Sequence, residues 1–289
     1  MKNVGLQAYV SETTADPARV ARKAEALGFD SIFIPEHPII PVQHKTPYPI
    51  GDGTIPEFYA HMPDPFVSLA HAAAATSRIK LGTGICLVPE RDAILLAKEI
   101  ATLDHWSGGR FLFGIGAGWL ADESEIMGVD FKRRWPMTRE YIAAMKELWT
   151  RPEPSFEGKF VRFPKVKFFP KPARKPHPPV IIGAGGAGPG CDRALKDVVA
   201  MGDGWMPVLL TPAQLTAELG NLRGMCAAAG REYDKIEITM LLLANPEDVG
   251  RAVREYHEAG AHRVLVNAPT LAPDKYEREL EELARVCIG

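Results

Sequence analysis

The stretch from residue 79 to residue 119 constrains the fold most. It reads Ile79-Lys80-Leu81-Gly82-Thr83-Gly84-Ile85-Cys86-Leu87, then an amphipathic run over residues 93–103, then Phe111-Leu112-Phe113-Gly114-Ile115-Gly116-Ala117-Gly118-Trp119. Two short, nearly continuous apolar runs flank a segment of helical period. Parallel strands have that composition because both faces are covered, and a parallel pair needs a crossover of a dozen or more residues. Each run breaks into glycines at its C-terminal end. Glycine there lets the backbone turn tightly, or lets a flat ligand lie against it. A single glycine is ordinary punctuation. Two clusters at equivalent ends of consecutive strands point to a ligand-binding rim.

The same unit recurs along the chain. Further strands are expected over residues 3–8, 31–34, 180–182, 204–209, 236–243 and 262–266. Helices are expected after them, opened by Asp16-Pro17, Asp64-Pro65, Thr211-Pro212 and Asn245-Pro246 and stopped by Gly28, Gly202, Gly230 and Gly260. A capping side chain followed by proline starts a helix, and glycine just past the last turn ends one. Residues 136–150, 192–201 and 273–286 complete the helices, with 122–129 as a short helix or turn. Eight strand–helix pairs within 289 residues predict one domain over residues 1–289, a closed (β/α)8 TIM barrel. Two segments interrupt the rhythm. Residues 38–63, after the second strand, are proline-rich and aperiodic and contain His44, Tyr48, Tyr59 and His61; such insertions are often active-site lids. Residues 151–179, before the fifth strand, read as an excursion with a hairpin around Gly158-Lys159.

Composition excludes several classes. A formal net charge of −2 leaves no footprint for nucleic acid or an anionic membrane, and Lys132-Arg133-Arg134 reads as a solvated face. No apolar run approaches membrane-spanning length, and residues 1–9 lack the apolar core of a signal peptide. Cys86, Cys191, Cys226 and Cys287 are scattered without metal-ligand spacing, which fits reduced thiols in a cytoplasmic protein and no metal site.

Gly183-x-Gly185-x-x-Gly188 formally matches the dinucleotide fingerprint, with Asp203 at about the right distance. Its context does not: Asp203 precedes the next strand instead of ending it, and Pro189-Gly190 interrupts the helix entry. The run therefore reads as a barrel loop. It is either a tight turn or a cradle whose backbone N–H groups and following helix N-terminus hold a phosphate.

Taken together, Glu36-His37 after the second strand, the strand end Leu81-Gly82-Thr83-Gly84-Ile85, Gly114-Ile115-Gly116-Ala117-Gly118-Trp119-Leu120, Met127-Gly128-Val129-Asp130-Phe131, Pro179-Val180-Ile181-Ile182-Gly183 and Gly202-Asp203-Gly204-Trp205 resemble the bacterial-luciferase-like flavin and deazaflavin oxidoreductases, in their F420-dependent branch. The resemblance runs through nearly the whole chain. It implies a (β/α)8 barrel with coenzyme F420, or alternatively FMN, at its C-terminal face, a cis peptide at Gly84–Ile85, and a homodimer. It implies a hydride transfer between F420 and a small-molecule substrate. The rivals are an FMN-dependent monooxygenase that uses O2 and a flavin-binding barrel without turnover. Where some F420-dependent sugar-phosphate and alcohol dehydrogenases of the family carry a catalytic glutamate, this chain has Trp119, which speaks against a sugar phosphate.

The resemblance and the rim pattern give a candidate site. His37 is the expected proton carrier, since a histidine titrates near neutrality, and Glu36 either orients it or pairs elsewhere. The cofactor ring is expected against Gly84, Ile85, Cys86, Gly116, Gly118 and Trp119, and its phosphate near Gly183, Ala184, Gly185, Gly186 and Ala187. Trp119 walls the ring or caps the core, and Trp205 is read as core. Cys86 either touches the ring or packs as a hydrophobe. Asp122 either bonds the cofactor or caps its helix.

Overall fold

The computed structural model describes residues 3–186, 190–243 and 247–289. Among them the chain alternates as expected. The strands are β1 (Asn3–Gln7), β2 (Ser31–Ile34), β3 (Lys80–Thr83), β4 (Cys86–Leu87), β5 (Phe111–Gly116), β6 (Phe156–Glu157), β7 (Arg162–Phe163), β8 (Val180–Ile182), β9 (Gly204–Trp205), β10 (Glu237–Leu242) and β11 (Arg263–Asn267). The helices are α1 (Pro17–Leu27), α2 (Pro65–Ala74), α3 (Ala93–Trp106), α4 (Ala121–Ile126), α5 (Arg134–Thr150), α6 (Cys191–Met201), α7 (Pro212–Ala228), α8 (Val249–Glu258) and α9 (Tyr276–Cys287).

The main sheet is parallel throughout, in the order β3-β2-β1-β11-β10-β9-β8-β5-β4, and the pairing of β3 with β5 closes it into a barrel. β3 and β4 form one stave, bent at Gly84–Ile85, whose peptide is cis as the family resemblance implied. The excursion contains the antiparallel hairpin β6–β7.

Differences from the sequence reading have local causes. β9 stops at Trp205 instead of running to residue 209 because Pro207 has no N–H to give the ladder. The expected start of α8 at Asn245-Pro246 lies outside the described residues, and the helix is seen from Val249. Asp16, Asp64 and Thr211 do cap α1, α2 and α7, each accepting a backbone N–H of the first turn.

The apolar side chains fall into two sets. A large shell fills the space between strands and helices. Inside the barrel Phe33, Leu112, Ile181, Met206 and Leu265 form a small plug, with Ile85 and Leu241 packed on it. Below the plug, Arg263 is fully buried and donates to Asp30 Oδ2 at 2.7 Å and to the Glu237 carboxylate. The top of the plug is the floor of a cavity at the C-terminal mouth.

Candidate active site

The cavity holds about 390 Å³ and opens where β1, β2, β4, β5, β8 and β10 end. Ile85 and Leu241 form its floor, Gly183 and Ala184 one edge, and Gly118, Trp119 and Trp135 a wall. Tyr9, Pro49, Tyr59 and Met62 close it from above.

His37 and Glu36 both reach this mouth but do different work. Glu36 is buried and accepts Leu87 N–H at 2.8 Å and Arg91 Nε at 2.6 Å. Arg91 also reaches Asp64 at 2.5 Å, so Glu36 locks the start of α2 to the stave end. It does not orient His37, which corrects that alternative of the sequence reading. The imidazole is held by Glu123: Nδ1 lies 2.7 Å from Glu123 Oε2, with both residues buried. Trp119 Nε1 donates to His37 Nε2 at 3.2 Å. An indole N–H can only donate, so Nε2 accepts, and the ring proton sits on Nδ1 and is given to Glu123. A substrate proton destined for Nε2 must take the place of the Trp119 N–H.

Sequence reasoning named Asp122 and missed Glu123. Asp122 faces outward, accepting Lys45 N–H at 2.9 Å, Thr46 N–H at 3.0 Å and Thr46 Oγ1–H at 2.7 Å. These bonds, the hydroxyl of Thr46 first, hold its carboxyl down to about 2. Asp122 therefore pins the insertion after β2 over the mouth and does not line the cavity. Glu123 is one residue further along α4, about 100° around the helix, and points inward.

The insertion carries an aromatic cluster onto the site. The Tyr48 and Tyr59 hydroxyls are 2.9 Å apart, and the Tyr59 ring lies 5.0 Å from that of His37. Tyr48 and Tyr59 both meet Trp119 edge to face.

The other predicted residues divide. Gly84, Ile85, Gly118, Trp119, Gly183 and Ala184 line the cavity. Gly116 lies beneath it: a Cβ there would stand 1.9 Å from Ile85 Cδ1. Cys86 is fully buried, and that burial, above all, pushes its thiol well above the usual range, so it packs as a hydrophobe. Gly185 turns the chain towards α6 with φ +83°, and Gly186 packs beside Val208 O; neither lines the cavity. Ala187 lies outside the described residues. Trp205 is core, and its Nε1 donates to Ala184 O at 2.8 Å, which props the cavity edge. Asp203 lies at the opposite end of the barrel, accepting Val180 N–H at 3.0 Å, where no ribose would reach it.

The residues fit a flat aromatic cofactor. Gln7 is buried and donates through Nε2 to Gly84 O at 2.7 Å, while its Oε1 has no partner and belongs to the cavity lining. A Cβ on Gly84 would come within 2.6 Å of that oxygen, so only glycine fits beside it. An orphaned acceptor beside an apolar floor suits the polar edge of a ring that is otherwise apolar.

Against this geometry the comparisons with known proteins are decisive for the family. The profile of the luciferase-like monooxygenase family matches residues 3–282. The chain belongs to that family. An uncharacterised protein of Mycobacterium tuberculosis is 38% identical over 284 residues, 97% of this chain and 96% of the other. An FMNH2-dependent dimethylsulfone monooxygenase of Pseudomonas putida is 31% identical over 193 residues, 65% of this chain and 51% of that enzyme. Among solved structures, an F420-dependent secondary alcohol dehydrogenase superposes with a TM-score of 0.76, covering 99% of both chains at 19% identity. Members of this luciferase-like family are oxidoreductases and monooxygenases, and its relatives use F420 or FMN. No helix among the described residues is long and apolar enough to cross a membrane.

Proposed function

We propose that this luciferase-like protein is a coenzyme F420-dependent oxidoreductase acting on a small organic substrate. The observation that carries the reading is the buried Glu123–His37 pair at the edge of a cavity floored by Ile85. The F420-dependent alcohol dehydrogenase, which shares the architecture over its full length, supports it. When bound, the deazaflavin supplies a position that takes or gives a hydride. Gln7, Gly84 and Ile85 would hold its ring. Gly183, Ala184 and the N-terminal end of α6, with Arg193 in its first turn, would hold its phosphate.

The chain's own work is proton handling. His37 Nε2 accepts the proton of a substrate hydroxyl once that group displaces the Trp119 N–H, and returns it in the reverse direction. Glu123 balances the imidazolium that results, which its burial makes effective. The second reading, an FMN-dependent monooxygenase using O2, rests on the Pseudomonas putida relative.

The test is a panel of primary and secondary alcohols added to F420-loaded protein with O2 excluded. The expected result is loss of the oxidised cofactor's visible absorbance. Glu123→Gln should slow that loss by roughly 10²–10⁴-fold, the usual worth of a general acid or base, with F420 affinity nearly unchanged. No absorbance change with any alcohol, or an equally fast Glu123→Gln protein, contradicts the reading.

A further inference from the structure

We infer that Trp119 is a positioning residue for the proposed reaction: its indole keeps the accepting lone pair of His37 Nε2 occupied until the insertion over residues 38–63 moves. The inference rests on the proposed function only in taking His37 as the proton carrier.

The imidazole is bonded at both nitrogens. Nδ1 gives its proton to Glu123 Oε2 at 2.7 Å, and Nε2 accepts the Trp119 N–H at 3.2 Å. A neutral ring offers one in-plane lone pair, and an indole N–H can only donate. Nε2 therefore holds either the indole or a substrate proton, never both. The rest of the ring is covered: His37 is 7% exposed, and the Tyr59 ring stands 5.0 Å from it.

The indole is not free to leave by itself. The backbone before it is fixed, because Gly118 O accepts Arg134 Nε at 3.1 Å. Movement is left to the side chain, and there the indole meets Tyr48 at 5.5 Å and Tyr59 at 6.4 Å, edge to face. The two tyrosine hydroxyls are joined at 2.9 Å, so the rings act as one block. That block belongs to the insertion, which is tied down at two places. Asp122, three residues after Trp119, accepts the backbone N–H groups of Lys45 and Thr46 and the Thr46 hydroxyl. Near the other end, His61 Nδ1 lies 2.6 Å from Oε1 of Glu12, which stands between β1 and α1.

Tyr59 and Met62 also roof the cavity. A ligand that enters beneath them lifts the block, and lifting the block removes what holds the indole against His37. Filling the site and freeing its proton acceptor are then one motion, as with lids whose movement completes a catalytic arrangement.

The test needs neither cofactor nor substrate. Diethyl pyrocarbonate acylates an imidazole nitrogen through its free lone pair, and peptide mass spectrometry gives the rate at each histidine. In the parent, His37 is expected to react far more slowly than the exposed His105. Trp119→Phe keeps a ring against Tyr48 and Tyr59 but has no N–H. It should raise the His37 rate roughly three- to tenfold, the net worth of one hydrogen bond, with His105 unchanged. Asp122→Ala unties Lys45 and Thr46, leaves the indole intact, and should raise the rate by a similar factor. A smaller ring also opens space for the reagent, so nitrogen-15 spectra of histidine-labelled protein supply a second readout. In both variants the His37 Nε2 resonance should move from its hydrogen-bonded position towards that of a free imidazole nitrogen. A His37 that reacts as fast as His105 in the parent, or an unmoved Nε2 resonance in a folded Trp119→Phe protein, overturns the masking. An Asp122→Ala protein with both rate and resonance unchanged overturns the link to the insertion, and it decides alone if Trp119→Phe does not fold. Failure of F420 binding or of alcohol oxidation bears on the proposed function only, since neither enters these measurements.

Discussion

At the scale of single residues, Glu90 shows how the site treats charge. It is buried just behind Gly118, whose φ of +82° turns the chain at the cavity wall. Its Oε1 accepts the Ser124 hydroxyl at 2.7 Å and its Oε2 has no partner. Burial first, then the nearby charges of Glu123 and Glu36, push its carboxyl up to about 8. Glu90 is therefore a neutral acid at pH 7. Because the folded-state value is raised from an ordinary 4.5, the folded protein holds one more proton than the unfolded chain between those pH values. Stability linked to Glu90 is complete below the lower value and is lost as pH rises through the upper one. Glu90→Gln mimics the protonated acid and escapes that loss. Its melting temperature relative to the parent should climb steadily from about pH 4.5 to pH 8 and then level off. A difference that stays flat with pH would mean that Glu90 is already ionised in the fold.

At the scale of elements, the base of the barrel gives a separate prediction. Arg263 on β11 is fully buried and ties Asp30, at the start of β2, to Glu237 on β10. Arg263→Met would leave Glu237 without a cation and Asp30 with Lys80 alone. Breaking a buried pair costs roughly 3–5 kcal/mol, and since Glu237 keeps a third of its side chain in water, the lower end applies. Denaturant melts should show that loss, with the slope unchanged. A shift under about 1 kcal/mol would mean that the carboxylates reach water instead.

The elements themselves were legible in the sequence, because apolar strand runs, caps and stops are local signals. Asp16-Pro17 and Gly28 bound α1 for reasons contained within a few residues. The glycines that follow β3, β5 and β8 include Gly84, Gly118 and Gly183 of the cavity lining. What was not legible is rotational or distant. Asp122 and Glu123 look alike in sequence, and only the packing of α4 decides which faces the site. His37 and Glu123 are 86 positions apart, and nothing near His37 announces the partner, whereas the adjacent Glu36 offers a false one. Arg91, which claims Glu36, lies 55 positions away. The role of Asp122 in pinning the insertion was equally hidden, since its acceptors' partners at residues 45 and 46 carry no periodic pattern.

At the scale of the whole molecule, the proposal extends to a homodimer. Val67 on α2 and Leu95 on α3 are 71% and 64% exposed at neighbouring helix starts that Arg91 links, an apolar area that a second copy would cover. Light scattering should give twice the 31.7 kDa chain mass, and Leu95→Asp should lower it; a monomer at micromolar concentration removes the dimer. The central claim concerns the cofactor, because the reaction class turns on it: FMN reacts readily with O2, and a deazaflavin poorly. The most direct measurement is the dissociation constant of the purified protein for F420 and for FMN, taken on one preparation. The account predicts F420 binding at least tenfold tighter; FMN binding as tight or tighter would contradict it.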